Sequence, residues 1–196
     1  MSPFAGVTDR LATEIRVLPP RGQVAIFLTA AAVLAESWQE WCRATGRVPD
    51  DAVFARAITV ATDFACGRPV SASSELASAI ESAAPDEPSD VPGFTTAQDC
   101  WICLDTAVQG ATHGDDAASS TWYLLEPLFG SVSMRLFGVS DVGSEAQGAA
   151  ESTALDDAVL SQGIAAVEAC ISRLATTPVD ESELVWLRST LSALRP

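Results

Sequence analysis

Residues Val24–Ala35 read VAIFLTAAAVLA, twelve residues with Thr29 the sole polar one. No alternation of apolar and polar positions runs through them, so they do not read as a half-buried strand. A segment apolar on all sides belongs in the middle of a helical core. Twelve residues are too few to cross a bilayer, which takes about 20. The stretch therefore predicts a central buried helix, opening near Gly22 after Pro19-Pro20. It runs on through Glu36, Trp38, Trp41 and Cys42 to Gly46, a residue suited to a helix C-terminus.

Helical spacing recurs on either side. A first helix is expected over about Thr8–Leu18, stopped by the two prolines. A third follows Asp50, with Phe54, Ala57, Ile58, Ala61, Phe64 and Ala65 on one stripe. A fourth spans about Ser71–Ala83, and a Pro-rich acidic loop follows over 85–93. The fifth carries Ala97, Cys100, Trp101, Leu104, Ala107, Val108 and Ala111 at helical spacing, and Thr95 with Gln98 fits a capping box. A sixth covers Thr121–Gly138 with a kink at Pro127. Small polar residues with Gly143 and Gly148 predict a mobile connection near 140–153. The last two helices are expected over about Leu155–Ala175 and from Asp180 onward. The fold class is all-α: one domain over 1–196, a bundle of seven or eight helices.

Composition narrows function by exclusion. The 196 residues include 11 Arg, no Lys, 26 acids and one His, for a formal net charge of −15. The charge is uneven: residues 85–196 hold 17 acids against four Arg, while residues 1–84 are nearly balanced. Direct nucleic-acid binding is excluded, because counterion release needs a basic surface. Anionic membrane is repelled for the same reason, and no segment is long enough to span one. An acidic half can instead steer a basic partner. The absence of Lys and Asn with abundant Ala indicates a GC-rich bacterial genome. Five Cys at 42, 66, 100, 103 and 170 lie in helical patterns or at a helix end, not in loop pairs. With no signal-peptide pattern, that predicts reduced thiols in the cytoplasm.

Four segments of the first half resemble the YjaG-like bacterial proteins, a helical family of unknown function. They are Trp38–Gly46 (WQEWCRATG), the amphipathic helix over 51–66, the acidic stretch containing Ala84-Pro85, and Ala97-Gln98-Asp99 opening a long helix. The likeness covers roughly residues 9–110. The sequence departs from it on the second helix, where Ala32 stands in place of an acidic residue. The resemblance implies an all-α fold and no particular activity.

Catalytic constellations are sparse. Cys100-x-x-Cys103 lies inside a helix instead of at its N-terminus, where a redox pair would gain from the dipole. A di-iron bundle needs two Glu-x-x-His motifs, and His113 has no Glu three residues before it. No Gly-x-Ser-x-Gly or phosphate-binding glycine loop is present. No metal site and no cofactor are expected.

The residues singled out are Asp99 and Glu126 as acid/base candidates, and Asp99, Trp101, Glu36 and Trp38 as binding candidates. Asp99 stands off the Cys100/Leu104 stripe. It is expected either at the surface or buried with a cation such as Arg56. Two readings result. The first is a non-enzymatic interaction module of inhibitor or immunity type docking a basic protein. The second is a small-molecule-binding protein or enzyme with a Trp-lined helical pocket and a carboxylate acid or base. The missing catalytic sets argue for the first, and the sequence leaves oligomeric state open.

Overall fold

A computed structural model describes residues 2–70, 74–85, 91, 93–138 and 147–196. Among these residues there are nine α-helices and no strand. They are α1 (Pro3–Arg16), α2 (Pro20–Thr45), α3 (Asp51–Ala65), α4 (Ser74–Ala83), α5 (Phe94–His113), α6 (Trp122–Phe137), α7 (Gln147–Leu155), α8 (Ala158–Leu174) and α9 (Glu181–Leu191).

The centre is the antiparallel α-helical pair α2 and α5, the most extensive helix pair in the molecule. Small residues let the two backbones approach. A Cβ on Gly110 would lie 3.1 Å from Val24 Cγ2, and Ala30, Ala31, Ala97 and Ala107 are fully buried. Ile26, Phe27 and Leu34 of α2 are also fully buried, each worth about 2–3 kcal/mol over exposure. Helices α3 and α4 pack on one side of the pair. On the other, α6 lies along α5, α9 lies along α2, and α8 joins them; α1 contacts α6, α7 and α8.

Local chemistry explains most boundaries. Pro20 opens α2 at a position where its missing N–H costs nothing, and Gly46 closes it at φ 72°. Asp50 caps α3 by accepting from Val53 N at 3.1 Å. Asp157 and Asp180 do the same for α8 and α9. Pro127 lies inside α6 and cannot donate to the Tyr123 carbonyl one turn back. The Cys103 thiol donates to that carbonyl instead, at 3.8 Å.

Three expectations need correction. The first helix begins at Pro3, not Thr8: Ser2 accepts from Ala5 N at 3.1 Å, and Pro3 occupies the first turn. The capping box at α5 does not form, because Gly93 is the N-cap and makes no side-chain cap bond. Among the described residues the helices number nine, not seven or eight, and the extra one is α7. The expected connection near 140–153 falls partly on 139–146, outside the described residues, and partly on α7. Its Ala149, Ala150 and Ala154 favour helix, and a long-range contact holds it. Glu151, 4% exposed, accepts from Ser2 Oγ and from Phe4 N, the latter at 3.1 Å. A carboxylate from α7 thus sits at the N-terminus of α1, where orphan N–H groups and the helix dipole favour it. Replacing it by alanine leaves those donors buried without an acceptor. Glu151→Ala is expected to cost about 1–3 kcal/mol in a urea melt, whereas an exposed carboxylate would cost almost nothing.

Candidate functional site

Asp99 lies in the second turn of α5 and is 1% exposed. Its Oδ2 is buried and has no hydrogen-bond partner. Removal from water pushes its carboxyl up from 3.8 to about 9, and the neighbouring charge of Glu126 adds to the rise. Asp99 is therefore a neutral acid at pH 7. An Arg56 partner would have shifted it the opposite way, and Arg56 stands exposed on α3. Glu126, half-buried on α6, is also raised by burial, and the Trp122 indole, which donates to it, pulls it back. The α5–α6 contact thus brings the two acid/base candidates into one interior region.

The same part of α5 holds the Cys-x-x-Cys pair. Cys100 and Cys103 are fully buried and free. Burial raises both thiols, with Asp99 adding to the effect. Cys100 donates to the Ala31 carbonyl of α2 at 3.3 Å. These are core thiols packed between helices, without the electropositive setting that makes a thiol reactive. Among the described residues, no group of three or more His, Cys, Asp or Glu side chains could hold a metal ion.

Trp38 and Trp101 meet on the other face of α5. Their ring centroids are 5.1 Å apart and nearly perpendicular. Phe54 of α3 stacks on Trp38 at 5.2 Å and meets Trp101 edge-on at 5.6 Å. Both tryptophans are 1% exposed, and both indole N–H groups lack an acceptor. Glu36 joins neither group: it is exposed on α2 and accepts from Arg195 at 3.2 Å. The structure therefore brings Asp99 near Glu126 and Trp38 against Trp101, and leaves Glu36 apart from both, beside Arg195.

Two open clefts flank the central pair. One, about 600 Å³, lies where α2 starts and α5 ends, beside Arg16, Gln23 and Asp116. Its polar groups are largely satisfied internally. Arg16 pairs with Asp116 at 3.0 Å, and Gln23 donates to the Leu18 carbonyl at 3.0 Å. The other, about 470 Å³, lies between α4 and α5 and is bordered by Ile80, Glu81, Trp101, Ile102, Asp105 and Gln109. Asp99 and Glu126 line neither cleft. Sequence reading passed over Glu81 and Asp105. Their one signal was the position of Asp105 four residues after Trp101, which makes it a neighbour of that indole along the helix.

No helix among the described residues is long and apolar enough to cross a membrane. No family model matches the chain, and no curated protein matches it. Among solved structures, the chain is similar to the crystal structure of a DUF416 family protein from Shewanella baltica OS155. The TM-score is 0.70, with 15% sequence identity over 92% of each chain. At that identity the likeness shows a shared all-helical fold.

Proposed function

We propose that this chain is a non-enzymatic interaction protein of the bacterial cytoplasm that docks a basic partner on its acidic C-terminal half, as an inhibitor or immunity-type protein does. One observation carries the reading: the acids of residues 85–196 outnumber its arginines 17 to four, and three of those arginines are already held. Arg135 pairs with Asp157 at 2.8 Å, Arg195 with Glu36 at 3.2 Å, and Arg173 with Glu183. Arg10, Arg16 and Arg68 of the first half offset Glu168, Asp116 and Glu181, and the acids beyond these pairs outnumber the arginines left, so a negative excess faces solvent and whatever binds there. We also infer that the chain is a divergent member of the YjaG-like family. The motifs at 38–46 and 97–99 support this, and the all-helical fold shared with the DUF416 protein is in keeping with it.

A second reading, catalysis or small-molecule binding, draws on Asp99. A neutral buried carboxylic acid is the form a general acid takes. Its place outside both clefts ranks this reading second.

Affinity capture of host proteins on the tagged full-length chain, at low and high salt, tests the first reading. One stoichiometric basic protein is expected, with affinity falling about tenfold or more as salt screens the charges. Partners held equally at both salts, or no partner at either, would overturn it. In the latter case, metabolite screening against Asp99→Asn and Glu126→Gln addresses the second.

A further inference from the structure

The larger cleft carries charges of both signs around an apolar surface. Arg16 ends α1 just before α2 opens, Asp115 follows the end of α5, and both border the cleft. The backbone has the same polarity: α2 brings its N-terminus here and α5 its C-terminus. The first favours negative charge and the second positive.

The bonds within the rim engage only part of each group. Asp116 accepts from Ala118 N at 3.1 Å through Oδ1 and from Arg16 Nε at 3.0 Å through Oδ2. That fixes one edge of the guanidinium, and its two terminal amino groups have no acceptor among the described residues. The Asp115 carboxylate has neither a hydrogen-bond donor nor an ion-pair partner among them. Gln23 donates through Nε2 to the Leu18 carbonyl at 3.0 Å, which leaves its side-chain oxygen as a further acceptor. Apolar surface that still meets water lies in the same cleft: Pro20 is exposed and Phe64 of α3 is half-buried, over a floor closed by Val24.

An inorganic anion at Arg16 would stand beside Asp115 and Asp116. A bare cation would leave the guanidinium N–H groups and Phe64 in water. A purely apolar molecule would leave both charges without partners. A zwitterion with an apolar side chain uses all three features, and arginine presents paired N–H groups that fit both oxygens of a carboxylate. The cleft, about 600 Å³, has room for one, since small-ligand pockets run from about 300 to 1,000 Å³. We propose that this cleft binds a free apolar amino acid, its carboxylate on Arg16, its ammonium on Asp115 and its side chain against Phe64 and Pro20. The proposal does not depend on the docking reading, because it needs both signs of charge at one place and not a net field.

Calorimetry of the full-length protein with L-leucine tests it, with the Val24 methyl and Phe64 ring resonances as local reporters. Saturable binding is expected, with Kd of about 1 mM or below, and both reporters are expected to shift. Three analogues each delete one contact: N-acetyl-L-leucine lacks the ammonium, L-leucinamide the carboxylate, and glycine the side chain. Each is expected to bind about tenfold more weakly or worse. Asp115→Asn is expected to weaken L-leucine about tenfold and leave N-acetyl-L-leucine unchanged. Arg16→Gln is expected to weaken L-leucine about tenfold and leave L-leucinamide unchanged. Both substituted side chains are exposed, and thermal melts check that each variant is folded.

No binding of L-leucine at about 10 mM, or binding with unmoved reporters, would overturn the site. Analogues that bind as tightly as L-leucine would overturn recognition of a zwitterion. A substitution that weakens L-leucine and its matched analogue equally would overturn the placing of the two charged groups.

Discussion

Asp99→Asn is expected to stabilise the protein at alkaline pH, by an amount that grows as pH rises. The folded state holds the Asp99 carboxyl at about 9 against an ordinary 3.8. The folded protein therefore keeps a proton that the unfolded chain releases above about pH 4. The contribution of the neutral acid is fully present below that pH and is lost as pH rises towards 9. Each unit in that window is worth up to about 1.4 kcal/mol. Asparagine has the shape of the protonated acid and cannot ionise. The stability difference between variant and wild type is expected to move by up to about 4 kcal/mol from pH 5 to pH 8 in the variant's favour. Taking the difference cancels the remaining carboxylates, such as Asp157 and Asp180, whose hydrogen bonds lower them and act in the opposite direction. Denaturant melts of both proteins at four pH values measure it. A difference that stays flat with pH would mean that Asp99 is ionised in the fold and finds a partner or water there.

Trp38→Ala carries the other large effect, about 3–5 kcal/mol of lost stability, the usual range for emptying a buried aromatic site. Trp38 is fully enclosed and contacts both Phe54 and Trp101 through ring faces and edges. Its N–H has no acceptor, so the loss is one of packing alone. Trp38→Phe, which keeps a ring and deletes the unpartnered donor, is therefore expected to cost less than half as much. If the two variants cost the same, an unseen acceptor holds the indole, and the cluster is a polar site as well as a core.

The course of most helices was legible because their signals are local. An unbroken apolar run marked α2, and apolar spacing at 3.6 residues marked α3, α5 and α8. Prolines at 19 and 20 separated α1 from α2, and aspartates at 50 and 180 announced α3 and α9. Where local signals were weak, distant residues set the outcome. Helix α7 has little apolar pattern of its own, and its Glu151 finds its donors at Ser2 and Phe4, almost 150 residues away. The start of α1 escaped notice for the same reason.

The acidic balance, the all-helical class and the lack of catalytic His, Ser or phosphate-loop motifs follow from composition and spacing, which do not depend on how the helices pack. Asp99 shows the limit of that kind of reading. A helical wheel places it off the main stripe but says nothing of a second layer. Burial arises because α6 covers that face of α5, putting Glu126 and not an arginine beside it. The same holds for Trp38 with Trp101 and for Glu81 with Asp105. Each pair joins two helices, and solvation, protonation state and partner are properties of the contact between them, created when the bundle closes.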